Sequence, residues 1–147
     1  MQAFQNTVTI QRPAEEVFAF LADFENIPMW NYAIEKTTKA STGPTGVGTR
    51  YRQTRSIPDR SVEDFEVTVF EPASRLAIHG QIGPFVATIS YQLEAEAGVT
   101  NLLNHVELNP PLAMPRLLAP LATARIKAAV AQNLGKLKLL LESNRPV

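Results

Sequence analysis

Apolar and polar residues alternate at the start of the chain and then take on a helical spacing. The alternation covers residues 4–11 and predicts a half-buried strand. Pro13 suits the first position of a helix, and apolar residues recur at helical intervals over residues 13–22. A second helical turn is expected to start at Asp23 and to end before Pro28. This part of the chain therefore predicts one strand followed by two short helices.

From residue 32 onward the apolar positions repeat every second residue, which predicts six strands. The segments between them are rich in Gly, Pro, Ser and Asp, residues that favour tight turns. Connections this short join antiparallel neighbours, so the strands are expected to form a meander. The predicted strands cover residues 32–41, 47–55, 61–71, 75–82, 85–96 and 99–109.

A long helix is predicted over residues 114–143. Apolar residues there form one stripe at helical spacing, and the basic residues lie mostly off it. Pro115 suits a first turn, whereas Pro120 predicts a kink or a broken first turn because proline lacks the backbone N–H. The stripe consists of Ile126, Val130, Leu134, Leu137 and Leu141.

These elements leave a wide apolar sheet face with few helices to cover it. Seven strands spaced about 4.8 Å apart give a sheet roughly 29 Å wide, whereas one helix with its side chains is about 10–12 Å across. The uncovered part requires a curled sheet, a dimer or an enclosed pocket. We therefore predict a single α+β domain over residues 1–147, and these three ways of covering the sheet stay open at this point.

Composition and charge exclude several classes of function. The 147 residues include 14 basic and 14 acidic side chains and no cysteine. The balanced charge argues against a nucleic-acid binder, and without cysteine there are no disulfides and no thiolate metal ligands. The first residues lack the features of a signal peptide, and no apolar stretch has the length of a membrane span. We expect a cytoplasmic protein without stable membrane insertion, metal or cofactor, and a homodimer stays open.

Two strands interrupt their apolar faces with polar residues. Gln53 and Arg55 are in phase with Tyr51, and Asn104 is in phase with Val106. A packed core penalises unpaired polar groups of this kind by a few kcal/mol, whereas a ligand pocket needs some of them among its apolar walls. For Arg55, which lies at a strand end, a side chain that reaches solvent is the alternative.

The pocket predicted from these phases has apolar walls, polar anchors and a flexible rim. Trp30 follows a proline turn and is expected either to gate the pocket mouth or to plug the core. The apolar residues around Pro115 and Pro120 predict a flexible lip, with a hydrophobic staple onto the strand ends as the alternative. The predicted ligand-binding residues are Trp30, Tyr51, Gln53, Arg55, Phe65, Val67, Phe85, Ile89, Tyr91, Asn104, Met114, Leu117, Leu118 and Leu121.

The other candidates for acid–base or metal chemistry are assigned to the solvent-exposed face. His79 and His105 lie out of phase with the apolar side of their strands, and no partner joins them at metal-ligand spacing. The strand carboxylates are expected on a solvated convex face, so none is predicted inside the pocket, which favours binding over catalysis. These carboxylates are Glu63, Asp64, Glu66, Glu94 and Glu96.

Four segments, taken in their order along the chain, carry a family resemblance: RPAEEVFAFLADFENIPMWNYAI, VGTRYRQT, VFEPASRLAIHG and NLGKLKLLLES. Together they resemble the START-like (SRPBCC) superfamily, and most closely its polyketide cyclase/dehydrase type 2 group. The resemblance covers nearly the whole chain and implies a helix-grip fold, in which a seven-stranded antiparallel sheet curls around the long C-terminal helix with the first strand beside the last. It also implies a deep cavity for an apolar or aromatic small molecule, and it carries no shared catalytic motif.

Three functions remain open from the sequence. The first is binding of a hydrophobic small molecule such as a lipid, an isoprenoid or a polyketide-like aromatic compound. The second is a cyclase or dehydratase, in which Arg55 stabilises an enolate and Tyr51 or Tyr91 donates a proton. The third is a protein-interaction module that uses the lip or a sheet edge.

Overall fold

The computed structural model describes residues 1–143, and these residues contain one antiparallel sheet of seven strands. The strands alternate apolar and polar residues, which suits a sheet with one buried face. They are β1 (Gln2–Ile10), β2 (Ile34–Lys39), β3 (Arg50–Arg55), β4 (Ser61–Glu71), β5 (Arg75–Ile82), β6 (Phe85–Glu96) and β7 (Val99–Asn109).

The strand order is β1-β7-β6-β5-β4-β3-β2, with every neighbouring pair antiparallel. The predicted meander is therefore confirmed, and so is the position of the first strand beside the last. The strands predicted over 32–41 and 47–55 are shorter in the structure, because residues 40–49 form a loop between β2 and β3. The sheet curls around the C-terminal helix, which makes the fold of the predicted helix-grip class.

Helical segments follow β1 and end the described chain. Pro28 lies inside the second short helix, whereas the sequence predicted that this turn would end before it. The first turn tolerates proline because the N–H groups there have no helical partner. The helices are α1 (Ala14–Ala22), a 3₁₀ turn (Phe24–Asn26), α2 (Ile27–Trp30) and α3 (Ala119–Ser143).

The long helix α3 packs its apolar stripe into the concave face of the sheet. Leu134, Leu137 and Leu141 are all buried, and each such side chain contributes about 1.5–3 kcal/mol when it leaves water. The predicted start at residue 114 is wrong, because residues 112–118 form turns and the helix begins at Ala119. Pro120 therefore lies in the first turn, where its missing N–H breaks no helical hydrogen bond. No helix within residues 1–143 is both long and apolar enough to cross a membrane.

One end of the sheet is formed by three loops, which we call the mouth end: residues 56–60, 83–84 and 110–118. The strand register places them together, because Arg55 pairs with Ser61 and Val86 pairs with Asn109. The α3 helix starts at this end and runs toward the opposite one, where Glu142 accepts a hydrogen bond from the backbone N–H of Gln11 at 2.8 Å.

Candidate functional site

A cavity of about 140 Å³ lies between the concave face of the sheet and α3. The 3₁₀ turn, α2, strands β3 to β7 and α3 all contribute to its wall. An apolar cavity of roughly 150 Å³ in another protein stays dry and binds benzene, so the space suits an apolar molecule. The apolar wall includes Phe24, Trp30, Phe65, Ile78, Ile89 and Val130.

The cavity reaches the protein surface at the mouth end. Tyr32, which follows α2, and Gln81, near the end of β5, both line it and are both exposed to solvent. Arg55 and Ile82 line the same region. A small molecule can therefore enter between α2 and the β5–β6 connection.

Glu63 is the main correction to the sequence interpretation, because it lies inside the protein and not on the convex face. Its side chain is 2% exposed and forms an ion pair with Arg55, whose Nε donates to Oε2 at 2.7 Å. The physical reason is strand phase. Glu63 pairs with Gln53 across β3 and β4, and it shares the alternation of Phe65 and Val67 on the buried face.

The Glu63 carboxylate accepts four hydrogen bonds from described residues. Arg55 donates from Nε to Oε2 and from Nη2 to Oε1, at 2.7 and 3.2 Å. Gln53 Nε2 donates to Oε1 at 3.0 Å, and the backbone N–H of Gly83 donates to Oε2 at 2.7 Å. A carboxylate has about four lone-pair positions, so Glu63 has none left to act as a general base. Its role is to hold Arg55 and Gln53 in place.

Arg55 lies at the junction between this cluster and the cavity. Its side chain is 12% exposed and lines the cavity, so it does not extend freely into solvent. A guanidinium has five N–H donors, and Glu63 takes two of them. The remaining donors are held next to the cavity by a buried partner, which suits them to an acceptor oxygen of a ligand.

A second polar group of residues lies deeper along the sheet and on α3. Tyr91 and Asn104 are cross-strand partners on β6 and β7, and Asn133 lies across from them on α3; all three line the cavity. Burial raises the pKa of Tyr91 well above the ordinary value of a tyrosine. At neutral pH the side chain is therefore an uncharged phenol that can donate a hydrogen bond.

We expect Tyr91 to remain protonated where an ordinary tyrosine, with a pKa of about 10, is half ionised. Burial raises its native pKa above the unfolded value, so its contribution to stability is complete below about pH 10 and is lost as the pH rises further. Titration of phenolate absorbance in the native protein and in Tyr91→Phe tests this. The difference between the two titration curves reports the ionisation of Tyr91. A transition in it at or below about pH 10, the ordinary pKa of tyrosine, would contradict a raised pKa for Tyr91.

Half of the predicted ligand-binding residues lie on the cavity wall, where contact with a ligand stays a prediction. Trp30 is 8% exposed and forms part of the inner wall, packed within the main core. The others contribute both polar and apolar surface. The predicted residues on the wall are Trp30, Gln53, Arg55, Phe65, Ile89, Tyr91 and Asn104.

Three predicted wall residues lie in the surrounding core instead. Tyr51 is 3% exposed, stacks on Phe65 with ring centroids 5.2 Å apart, and bonds Thr45 through its hydroxyl at 2.7 Å. Val67 and Phe85 are buried among apolar neighbours. These residues lie on the same buried face as the wall but beside the cavity. Strand alternation distinguishes the two faces of a sheet, but not the part of a face that borders a cavity.

The four predicted lip residues do not line the cavity. Met114 packs against the core cluster that contains Phe85. Leu117, Leu118 and Leu121 are exposed to 87%, 50% and 63%. The late start of α3 explains the positions of Met114, Leu117 and Leu118, which lie in turns before the helix, whereas Leu121 lies in its first turn and is exposed.

The structure adds wall residues that the sequence interpretation did not select. Phe24 comes from the 3₁₀ turn, Ile78 from β5, and Ala129 and Asn133 from α3. The alternation of residues along β5 could have identified Ile78 as an inward-facing residue. The α3 residues were not, because the rotation of a helix about its axis depends on the packing of its whole stripe.

The two histidines and the other strand carboxylates singled out in the sequence lie outside the cavity, as expected. Asp64 pairs with Arg52 at 2.8 Å, with both side chains more than 60% exposed. His79 is exposed, and its Nδ1 lies 2.9 Å from the hydroxyl of Thr88. His105 is half-buried and lies 3.6 Å from Glu107. Glu66, Glu94 and Glu96 are exposed as well.

Comparison with solved structures finds the same fold in proteins from bacteria. The Zhui aromatase/cyclase from Streptomyces sp. R1128 superposes with a TM-score of 0.83 at 15% identity, over 96% of this chain and 93% of that one. A START superfamily protein from Mycobacterium smegmatis gives a TM-score of 0.73 at 20% identity, over 94% of this chain and 98% of that one. At these identities the likeness concerns the fold alone.

Comparison of sequences identifies the family. An uncharacterised protein from Mycobacterium tuberculosis is 38% identical over 76 residues, which are 50% of this chain and 43% of that protein. The matched segment thus spans less than half of that relative. The family model described as polyketide cyclase/dehydrase and lipid transport matches residues 1–142. The chain therefore belongs to the polyketide cyclase/dehydrase and lipid transport family, with the fold of START-like proteins.

Proposed function

We propose that this protein binds a largely apolar small molecule reversibly in the cavity between the sheet and α3. The observation that carries the proposal is an apolar cavity whose wall includes a few polar side chains. Two of them, Gln53 and Arg55, are fixed by hydrogen bonds to Glu63. Such a combination is typical of ligand sites. Aromatic rings from Phe24, Trp30, Phe65 and Tyr91 on the wall favour a flat or polyketide-like aromatic molecule over a flexible chain.

The ion pair at the mouth end sets the polarity of the ligand. Glu63 already balances the charge of Arg55, so the pair as a whole is neutral. A ligand carboxylate at this position would be close to a second carboxylate, and like charges in a site of low polarity repel each other. A neutral acceptor such as a ketone or quinone oxygen meets the free Arg55 donors without that cost. We therefore favour a neutral carbonyl compound over a free fatty acid.

Ligand-dependent stabilisation tests the proposal with a matched pair of variants. Ala129 lines the cavity, whereas its neighbour Ala128 is exposed to solvent and does not. Phenylalanine at 129 is expected to fill the cavity, and phenylalanine at 128 is not. The probes are 2-acetylnaphthalene, 2-naphthoate and palmitate, measured by thermal unfolding and by titration calorimetry.

We expect 2-acetylnaphthalene to stabilise the native protein and Ala128→Phe, and to have no effect on Ala129→Phe. A ligand at 100 times its dissociation constant adds about 2.7 kcal/mol to the free energy of unfolding. Binding of 2-naphthoate and palmitate is expected to be weaker. Equal stabilisation of all three proteins would place the ligand outside the cavity and overturn the proposal. Independently of these probes, native mass spectrometry of protein purified from its own host would identify a small molecule that co-purifies with it.

A second candidate is a cyclase-type enzyme that uses the same cavity. It is favoured by two groups on one wall: the unused N–H donors of Arg55, which can stabilise a developing enolate, and the neutral phenol of Tyr91. The fold of the Zhui aromatase/cyclase is consistent with it. Turnover of a poly-β-ketone analogue that is lost in Tyr91→Phe, while binding is retained, would distinguish an enzyme from a carrier.

A further inference from the structure

One buried polar atom beside the cavity has no hydrogen-bond partner in the described part of the chain. Asn104 is fully buried and lies on the cavity wall, yet its Oδ1 has no hydrogen-bond partner among residues 1–143. Its Nδ2 donates to the backbone carbonyl of Ser90 at 3.4 Å. That bond sets the orientation of the amide, because a rotated side chain would place two oxygen acceptors against each other. The unpaired atom is therefore an acceptor.

The neighbours of Asn104 do not supply the missing donor. Asn6, its cross-strand partner on β1, directs its own Nδ2 to the carbonyl of Lys127 in α3. Tyr91, the partner on β6, donates no hydrogen bond to this oxygen in the described part of the chain. A buried acceptor without a partner is unfavourable, and such atoms in native proteins call for an explanation.

The position of Asn104 in the cavity supplies that explanation. Its partner Tyr91 pairs with Leu76 on β5, whereas the cavity opens near Gln81, further along the same strand. Asn104 therefore lies deeper than the Arg55 cluster at the mouth end. Leu102 and Val106, which precede and follow it on the same face, are apolar and buried, so a hydrocarbon side chain at position 104 would suit the fold better.

We propose that the Oδ1 of Asn104 accepts a hydrogen bond from a hydroxyl or N–H group of the bound molecule. This inference rests on the proposed function and narrows it. The ligand is an apolar, neutral compound that carries a hydrogen-bond donor at its deeply buried end, such as a phenol or an alcohol. A site built to pair with a hydroxyl rejects analogues without one, because they leave its polar group unpaired.

The test uses two probes of similar size, 2-naphthol and 2-fluoronaphthalene, in titration calorimetry with the full chain. We expect the native protein to bind 2-naphthol about 10- to 100-fold more tightly, the range set by one buried hydrogen bond. In Asn104→Leu the two probes are expected to bind with similar affinity. Asn133→Leu, which removes another buried amide from the wall, is the control and is expected to retain the preference.

A second measurement separates a ligand-binding role from a structural one. Without ligand, Asn104→Leu is expected to unfold at a temperature equal to or above that of the native protein, because removal of the unpaired acceptor offsets the loss of the long, 3.4 Å hydrogen bond to Ser90. An asparagine kept for the fold would give a lower unfolding temperature, and that result would overturn the inference. Equal binding of the two probes by the native protein would overturn it as well, while leaving the proposed function in place. Binding of neither probe, together with failure of the ketone probe, would overturn both.

Discussion

Glu63→Gln is expected to reduce the free energy of unfolding by about 3–5 kcal/mol, the usual result of removing one partner from a buried ion pair. The glutamine cannot accept all four hydrogen bonds that the carboxylate accepts. Its amide nitrogen would face donors on Arg55, Gln53 or Gly83. The Arg55 guanidinium would keep its charge in a place where its side chain is only 12% exposed.

The neighbouring residue provides a matched control for this prediction. Asp64 also pairs with an arginine, Arg52, at nearly the same distance, 2.8 Å against 2.7 Å for Glu63 and Arg55. That pair points to solvent, where an ion pair contributes at most about 1 kcal/mol. Urea unfolding of Asp64→Asn should therefore give a small change. Similar losses in the two variants would mean that burial does not control the energy of the Glu63 pair.

A combined replacement tests whether the loss comes from an unpaired charge. Changing Glu63 to leucine and Arg55 to methionine together removes both charges and keeps apolar volume in place. Replacement of a buried pair in this way is often close to neutral. The double variant is therefore expected to be more stable than Glu63→Gln alone. Ligand binding should nevertheless be weakened, because the donors of Arg55 are gone.

Strand phase explains both the success and the main error of the sequence interpretation. The alternation rule places Gln53, Arg55 and Asn104 on the concave face, and the structure has all three on the cavity wall. The same rule also places Glu63 there, two residues before Phe65. The sequence interpretation assigned Glu63 to the convex face because it lies near a strand end among several other carboxylates. The partner that makes its burial possible becomes visible only when β3 and β4 are aligned in register.

The contribution of α3 to the site could not be derived from the sequence in the same way. Its apolar stripe correctly predicts a helix that faces the sheet, but not where that helix starts or which residues reach the cavity. The start of the helix depends on the turns formed by residues 112–118, and the prolines in this region are compatible with more than one starting residue. The cavity contacts of Ala129 and Asn133 depend on the rotation of the helix against β1. Both are set by tertiary packing, which overrides local preference.

Gly80→Ala is expected to reduce the free energy of unfolding by about 3 kcal/mol, since it adds a methyl group directly against the backbone of β4. Gly80 pairs with Phe65, and a Cβ on Gly80 would lie 2.5 Å from the Cβ and 2.6 Å from the Cα of Phe65, and closer still to the carbonyl oxygen of Asp64. These atoms belong to a paired strand and cannot move independently, so overpacking must shift the backbone. The shift would move Phe65, which lines the cavity and contacts the rings of Phe24 and Tyr51.

A glycine-to-alanine substitution in α3 should instead increase the free energy of unfolding. A Cβ on Gly135 would meet no atom within 4 Å, and alanine in a helix is favoured over glycine by about 0.5–1 kcal/mol. Gly135→Ala is therefore expected to unfold at a higher urea concentration than the native protein, and Gly80→Ala at a lower one. Gly80→Ala should also bind 2-acetylnaphthalene more weakly. If Gly80→Ala were as stable as the native protein, β4 and β5 could separate without loss, and the curl of the sheet would not depend on their close approach at this glycine.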